Sequence, residues 1–427
     1  MSDHDHTHGR TLRHLVVHEF RHVEPGTRLE FQPRMNVLVG RNATGKTTLL
    51  NLISMALRVD FSDIENEPYH LAYRLERGVV TVDLEVKNRK VEFRKRFGRG
   101  SVEKYQVEAT LEAEFRDTGE TATGKLKDGR WWFKGLGYEG ATPERQSPWG
   151  TISADVTDLL AAGSLPPEGR DNDPDRLVAE DRMDVHWDDL VRFDEALEFW
   201  KLILAEENDY DEDAECLLGK WHSYVPSELY QALKDSFEKS DEVSVTLHSA
   251  NLPFLGRICN ELGYEGARVR AELLGSDSRA KEKRVGNLFF WFKDGAGRWI
   301  PIDHLSFGEK RMFALLYYLS LNEDVAIVDE PTNGLHHAWA GMSLEEIRLR
   351  QSFVATQNPL WLCYLSFDSA KEVQETFIQC TNVPGGQAGA RRWRWASLGE
   401  EGARRFFTAS KKDCPFVSEF LKAQKPA

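Results

Sequence analysis

The sequence has 427 residues, 41% of them hydrophobic and 29% charged, a composition typical of soluble globular proteins with room for one large domain or several ordinary ones. No run of about 18 apolar residues occurs and the N-terminus lacks the pattern of a signal peptide, so we expect no membrane span and no secretion leader. Five cysteines lie far apart without a Cys-x-x-Cys pair, which favours a reducing cytoplasm and argues against a disulfide framework or a zinc site.

The net charge of −14 is concentrated in one segment. Residues 171–216 hold 18 Asp and Glu against 4 Lys and Arg, so the rest of the chain is close to neutral. The overall charge therefore neither demands nor excludes binding to nucleic acid.

Strand-like segments dominate the first part of the chain, after a polar tail over residues 1–10 that we expect to be disordered. Alternating apolar and polar residues predict an antiparallel meander over 79–115, preceded by three short strands: Leu15–Phe20, Thr27–Phe31 and Met35–Val39. With the helix that follows the third strand, these elements form a predicted N-terminal lobe over 11–150.

The later part of the chain divides in two. An acidic composition that is compatible with helix predicts a mostly helical insertion over 151–285. The lack of sustained heptads argues against a long coiled-coil arm. A hairpin, a helix and two buried-strand runs, Val325–Val328 and Ser352–Ala355, then predict a C-terminal lobe over 286–427.

A phosphate-binding loop is predicted where the third strand meets its helix. The pattern Gly-x-x-x-x-Gly-Lys-Thr is formed by Gly40, Arg41, Asn42, Ala43, Thr44, Gly45, Lys46 and Thr47, with Thr48 next. Such loops hold phosphates with backbone N–H groups and a helix N-terminus, while the Lys46 ammonium reaches the β- and γ-phosphates and the Thr47 hydroxyl ligates Mg²⁺. A coincidental glycine-rich turn is the alternative, and the strand–loop–helix context argues against it.

An acidic pair, Asp329-Glu330, ends the apolar run Val325–Val328. An apolar strand with acids at its tip is typical of a buried parallel strand at a catalytic edge. Asp329 is predicted to hold Mg²⁺, directly or through water, and Glu330 to orient and deprotonate the attacking water. By itself, such a run is also compatible with a strand that simply reaches solvent.

The segment Leu305-Ser306-Phe307-Gly308-Glu309 opens a helix upstream of the acidic pair. With these three motifs the chain resembles the ABC-type ATPases, whose signature Leu-Ser-Gly-Gly-Gln caps the γ-phosphate held by a second head. The resemblance implies that Ser306 and Gly308 bind ATP across a head-to-head dimer. The alternative is an ordinary helix start, in which Ser306 and Glu309 form a capping box.

The distance between the motifs, together with the residues after the acidic pair, indicates which branch of the ABC-type ATPases the chain resembles. The 257 residues between Thr47 and Leu305 exceed what transport-type subunits contain, and Asn333-Gly334-Leu335-His336 is similar to a stretch of OLD- and RecF-like ATPases. The chain thus resembles the SMC/RecF/OLD branch over residues 11–58 and 286–360. The fold implied is α/β: a P-loop NTPase of the ABC-type head class, with an antiparallel β meander and an inserted, mostly helical lobe.

Two departures from the family pattern affect catalysis. Gln357 stands where a switch histidine is usual; it can hydrogen-bond a water but cannot carry a proton charge, which predicts slow hydrolysis or use of ATP as a clamp. Phe307 replaces a common glycine and restricts approach of a partner head. The resemblance also implies a glutamine ligand to Mg²⁺, for which Gln146 is the candidate, with a surface-loop glutamine as the alternative.

Two basic segments have alternative interpretations. Residues 87–104, with eight basic and two acidic side chains, suit either a DNA phosphate track or, as we favour, a solvated sheet face. The run 391–395 (RRWRW) suits either stacking on bases or a partner, or an amphipathic strand that buries both tryptophans.

The functional expectation is an ATPase that uses ATP and Mg²⁺ as a homodimer of heads or a higher oligomer. The resemblance implies a separate effector protein, DNA as a possible ligand, and a role in antiphage defence or DNA repair, and the lack of a long apolar run predicts no membrane partner. An ATP-gated scaffold with little turnover that assembles a partner is the second hypothesis. A transporter subunit is disfavoured by the long insertion.

Overall fold

The structure is a computed structural model that describes residues 9–94, 101–127, 130–135, 138–141, 148–162, 201–205, 225–239, 242–277, 282–385 and 391–411. The chain divides into two compact units. The first comprises Met1–Asp181, Asp324–Glu330 and Arg348–Ala427, and the second comprises Arg182–Glu323 and Pro331–Ile347. No helix within these described ranges is long and apolar enough to cross a bilayer.

The first unit contains an eight-stranded antiparallel sheet. Its long strands alternate buried and exposed residues, as a sheet with one covered face requires. In spatial order the strands are β2 (Thr27–Glu30), β1 (Thr11–Phe20), β4 (Tyr69–Arg77), β5 (Val80–Arg94), β6 (Ser101–Phe115), β7 (Thr121–Lys127), β8 (Arg130–Gly135) and β9 (Tyr138–Ala141).

The same unit contains a second, five-stranded sheet that is mostly parallel. Its order is β15 (Val325–Asp329), β16 (Gln351–Ala355), β3 (Met35–Gly40), β17 (Phe377–Pro384) and β18 (Arg391–Ser397), with only β18 antiparallel to its neighbour. Strands β3, β15 and β16 are almost continuous runs of buried residues, as expected of parallel strands that are covered on both faces. The carboxyl ends of β3, β15 and β16 therefore meet at one edge.

The helices of the first unit cover its sheets. They are α1 (Lys46–Arg58), α2 (Pro148–Ala162), α7 (Pro359–Cys363), α8 (Ala370–Thr376) and α9 (Glu400–Ser410). Helix α1 contacts β1 of the antiparallel sheet and β3, β15 and β16 of the parallel one, so its apolar side chains join the two sheets.

The second unit is a sheet with helices packed on one face. Its strands are β10 (Lys201–Ala205), β13 (Glu282–Lys293), β12 (Gly266–Asp277) and β11 (Ser244–His248), with β14 (Trp299–Pro301) paired to β13. Its helices are α3 (Ser227–Lys239), α4 (Pro253–Leu262), α5 (Phe307–Leu321) and α6 (His337–Ile347). Phe290 and Phe292 of β13 pack edge-on against Phe313 of α5, which fixes that helix on the sheet.

The α/β class and the antiparallel meander are confirmed, and the lobe boundaries stay a prediction. The boundary at 150/151 falls inside α2 and the one at 285/286 falls inside β13. The segment 151–285 also carries strands as well as helices in its described part, because the alternating runs in β11 and β12 add to the hairpin that follows. Arg10, assigned to the disordered tail, is buried, and its guanidinium donates to Leu57 O at 2.7 Å.

Contacts bear on two further expectations. In the described part of the 87–104 segment, Arg89 pairs with Glu108 and Lys90 with Glu103 on the neighbouring strand, which favours the solvated sheet face. The cysteine spacing argued against a disulfide framework; Cys363 is nevertheless disulfide-bonded.

Candidate active site

The phosphate-binding loop lies between β3 and α1, as the motif predicts. Ala43 and Gly45 both have left-handed backbone conformations, with φ of 61° and 81°. Left-handed residues within a tight loop turn successive N–H groups inward and form a concave anion-binding nest. Helix α1 begins immediately afterwards at Lys46, so its N-terminal N–H groups and dipole face the same concavity.

Lys46 is folded back over the loop. Its Nζ donates to Gly40 O at 3.0 Å and to Arg41 O at 3.1 Å, and the side chain is buried. Burial lowers the pKa of this ammonium, which the nearby Glu330 and Asp329 partly oppose. A buried ammonium that donates to two backbone carbonyls is suited to pairing with an incoming phosphate, because that anion compensates its lost hydration.

Thr47 and Asp329 meet although 281 residues separate them in the chain. The Thr47 hydroxyl donates to Asp329 Oδ2 at 2.6 Å, because α1 starts beside the carboxyl end of β15. A hydroxyl and a carboxylate are hard oxygen donors of the kind that Mg²⁺ prefers. This donor pair therefore fits a magnesium ion shared with phosphate oxygens.

Glu330 is the first residue beyond β15 and is held in an unusual conformation. Its φ is 47°, and its N–H donates to Ala355 O at 2.8 Å. Its carboxylate accepts from the Thr356 hydroxyl at 3.1 Å and from Gln357 N at 3.0 Å. A left-handed non-glycine residue costs about 1–2 kcal/mol, and such strain is found at sites where surrounding contacts fix a functional side chain.

Gln357 connects the end of β16 to the phosphate-binding loop. Its Nε2 donates to Asn42 Oδ1 at 2.7 Å, while its backbone N–H holds Glu330. The residue at the switch position thus contacts both the loop and the general-base candidate. Sequence analysis missed Thr356 in this arrangement; a polar residue directly after a fully buried strand was the available signal.

Ser306, in the second unit, caps helix α5. Its Oγ accepts from Glu309 N at 3.3 Å, and its own N–H donates to Glu309 Oε2 at 2.7 Å. Tyr264 OH also donates to Glu309, at 2.8 Å. The capping box, which sequence analysis gave as the alternative interpretation, is therefore present. Ser306 and the following Phe307 are exposed, and the exposed fraction of Phe307 is 70%.

Gly308 and Gly334 are required by close packing at the start of α5. A Cβ at Gly334 would lie 2.3 Å from the Phe307 ring, and its φ of 77° is itself left-handed. A Cβ at Gly308 would lie 3.2 Å from Gly334 O. The signature segment and the loop that follows the acidic pair consequently form one continuous surface of the second unit.

Trp393 and Trp395 lie beneath the phosphate-binding loop, which neither sequence interpretation anticipated. Trp393 Nε1 donates to Ala43 O at 3.2 Å and Trp395 Nε1 to Thr44 O at 3.1 Å. Their rings are stacked, with centroids 6.1 Å apart. Spacing of two residues on a strand places both rings on one face, but only the pairing of β18 with β17, next to β3, brings that face to the loop.

Gly45→Ala is expected to destabilise the protein and to weaken phosphate binding. An added Cβ would be 2.8 Å from the Trp393 ring and would also be strained by the φ of 81°. Gly26→Ala is the matched control, because Gly26 has a φ of 82° with nothing near its Cβ position. Chemical denaturation should show a loss of about 1–2 kcal/mol for Gly26→Ala from backbone strain alone, and a larger loss for Gly45→Ala. Equal losses would show that the tryptophan contact is unimportant.

The structure thus brings together most of the predicted site residues in the first unit. Lys46, Thr47, Asp329, Glu330 and Gln357 lie at the carboxyl edge of the parallel sheet with the rest of the loop from Gly40 to Thr48. Ser306 and Gly308 belong to the second unit. Gln146 lies outside the described residues.

Residues 35–358 match the family model described as "AAA domain, putative AbiEii toxin, Type IV TA system". A 43-residue stretch is 46% identical to the DNA replication and repair protein RecF of Psychromonas ingrahamii, covering 10% of this chain and 12% of that protein.

Solved SMC heads align over most of the chain at low similarity. The SMC head bound to the C-winged helix domain of ScpA has a TM-score of 0.40 at 15% identity, with 91% of this chain and 98% of that one covered. The SMC head domain from Thermotoga maritima has a TM-score of 0.38 at 15% identity, with 91% and 99% covered. Because the family match spans residues 35–358, which is most of the chain, the protein belongs to this AAA-domain family, and its fold is that of a P-loop NTPase.

Proposed function

We propose that the protein binds and hydrolyses ATP at the site formed by the phosphate-binding loop, Asp329 and Glu330. The observation that carries the proposal is the convergence of Lys46, Thr47, Asp329 and Glu330, from distant parts of the chain, at one edge of a parallel sheet. Such edges are where open α/β sheets bind ligands. Phosphoryl transfer needs positioning and charge stabilisation more than covalent chemistry, and these groups supply both.

Each residue has a defined task in the proposed reaction. The nest N–H groups and Lys46 bind the phosphates, with Lys46 moving from the carbonyls of Gly40 and Arg41 to the anion. Thr47 and Asp329 would hold a magnesium ion, which when bound neutralises phosphate charge. Glu330, fixed by Thr356 and the Gln357 N–H, orients the attacking water and accepts its proton.

We further propose that two chains cooperate, with the signature surface of one completing the nucleotide site of the other. The exposed Ser306 hydroxyl, the start of α5 and the adjoining Gly334 loop offer a helix N-terminus suited to a γ-phosphate. Phe307 is exposed on the same surface, so the partner chain must accommodate its ring, and we expect the ring to limit how closely the two heads approach. The family resemblance supports the same arrangement.

The biological setting proposed is antiphage defence or DNA repair, through a separate effector protein. The family description names a toxin of a toxin–antitoxin system, and the curated relative is a DNA replication and repair protein.

An ATP-gated scaffold remains the second candidate function, and one observation favours it: Gln357 occupies the switch position and already bridges to Asn42. Steady-state phosphate release by the purified protein with MgATP tests the first candidate, which requires turnover above the rate without enzyme.

Substitutions of Ser306 separate its capping role from binding across the dimer. Ser306→Ala removes the cap and should cost about 1 kcal/mol, whereas Ser306→Asp keeps a good cap but adds negative charge. We expect both variants to lose ATP-driven assembly of two chains, measured by light scattering, although Ser306→Asp keeps its stability. Ser369→Ala is the control, since Ser369 caps α8 in the same way through Glu372 N. Normal assembly by Ser306→Asp would show that Ser306 is only a helix cap.

A further inference from the structure

Strand β18 supplies two indole N–H groups to consecutive carbonyl oxygens of the phosphate-binding loop. Trp393 donates to Ala43 O and Trp395 to Thr44 O, at 3.2 and 3.1 Å. Trp395 is 2% exposed, so its bond to Thr44 is made out of contact with solvent, where an unpaired donor and acceptor would be costly. Trp393, at the loop surface, is partly exposed.

The consequence for phosphate binding follows from the planar trans peptide. In that unit the C=O of one residue and the N–H of the next point in opposite directions. When Trp393 holds Ala43 O on the underside of the loop, the N–H of Thr44 is turned to the other side. Trp395 likewise turns the N–H of Gly45. Both N–H groups belong to the nest that binds phosphate in a loop of this kind.

The indoles are themselves fixed from outside the loop. Trp393 forms backbone hydrogen bonds with the β1–β2 connection, donating to His22 O at 2.8 Å and accepting from Glu24 N at 2.8 Å. The His22 ring packs edge-on against the Trp393 ring at 5.7 Å. Arg394 and Glu24 form a two-point ion pair at 2.6 and 2.9 Å. These contacts hold the tryptophan face of β18 in place.

We propose that Trp393 and Trp395 are positioning residues for nucleotide binding, which set the direction of the loop N–H groups through the carbonyls of Ala43 and Thr44. The inference rests on the proposed function, because it assigns a role in holding the ATP phosphates. It also accounts for the left-handed φ of 61° at Ala43: the Trp393 bond stabilises a conformation that an alanine rarely adopts. The two rings leave no room for a side chain at position 45.

The test replaces each indole by a ring without an N–H. Trp393→Phe and Trp395→Phe keep an aromatic side chain, and Trp132→Phe, at a 50% exposed position on β8, is the matched control. Equilibrium titration with a fluorescent ATP analogue should give a Kd raised by about fivefold to tenfold in each β18 variant, the effect of losing one hydrogen bond of ordinary strength. The control should bind like the wild type.

Kinetics distinguish positioning from a general structural effect. Because the loop N–H groups bind phosphate in the ground state and the transition state alike, KM should rise while kcat stays within about twofold of the wild type. A fall in kcat with unchanged KM, or an unchanged Kd in Trp393→Phe with a native circular dichroism spectrum, would overturn the proposal. Trp393→Phe provides this test even if Trp395→Phe, in the core, does not fold.

The binding data also distinguish an error in the proposed function from an error in the positioning role. If the wild type binds no nucleotide, ATP binding itself is wrong. If the wild type and both β18 variants bind equally well, only the positioning role is wrong. Trp393 emission offers an independent readout, since nucleotide should change the fluorescence of the wild type and of Trp132→Phe by more than that of Trp393→Phe.

Discussion

Replacing Glu330 by Gln is expected to lower ATP turnover by about 100-fold to 10,000-fold, the usual contribution of a general base. Nucleotide binding should remain, because Glu330 donates nothing to the phosphate-binding loop. The amide fits the site: its oxygen can still accept from Gln357 N, and its NH₂ can donate to the Thr356 hydroxyl. Phosphate release at saturating MgATP measures the effect.

The control for this variant is Glu323→Gln, the same chemical change at an exposed position. It should hydrolyse ATP like the wild type. Equal turnover in Glu330→Gln and the wild type, at a rate well above background, would exclude Glu330 as the base. Equal and near-zero turnover, combined with ATP-dependent assembly of two chains, would instead support the scaffold hypothesis.

Replacing Lys46 by Met is expected to raise the Kd for ATP by about 10-fold to 100-fold, since charge-assisted hydrogen bonds to phosphate contribute about 1.5–3 kcal/mol. The methionine keeps the length and apolar stem of lysine while removing its charge. Calorimetric titration with MgATP measures the change. Lys371→Met, on the exposed side of α8, is the control and should bind normally. Unaltered affinity in Lys46→Met would place the nucleotide elsewhere.

The same substitution should not unfold the free protein. Burial lowers the pKa of Lys46 in the folded protein below its ordinary value of 10.5. Between these two pKa values the unfolded chain binds more protons than the folded one. The free energy of unfolding that this site contributes therefore rises with pH across that range. Below that range the charged ammonium is disfavoured in the folded state. Removing it relieves this cost and offsets the two lost hydrogen bonds to carbonyls. Thermal unfolding of Lys46→Met at neutral pH should therefore stay close to that of the wild type.

Local motifs were predictable from the sequence because their chemistry depends on neighbouring residues. The loop from Gly40 to Thr47 needs only a strand before it and a helix after it, and the acidic pair needs only an apolar strand. The meeting of Thr47 with Asp329 followed from the parallel-sheet rule, in which carboxyl ends share one edge. These expectations required no knowledge of distant pairing.

Features that depend on strand order were not predictable. Trp393 and Trp395 reach the loop only because β17 lies between β3 and β18, an order that no local pattern indicates. The start of β13 upstream of position 285 has a related cause: β13 begins in the charged stretch Glu282–Arg284, where apolar alternation is weak, and is completed by its pairing with β12. From the charge and composition of a segment one can predict whether it is exposed, but not which strand it pairs with.

Equilibrium dialysis with labelled ATP, with and without Mg²⁺, tests the central claim most directly. We expect saturable binding of one ATP per chain, tightened by Mg²⁺ and weakened about 10-fold to 100-fold in Lys46→Met. Absence of saturable binding at millimolar ATP, or binding that persists unchanged in Lys46→Met, would contradict the assignment of the nucleotide site to the edge formed by β3, β15 and β16.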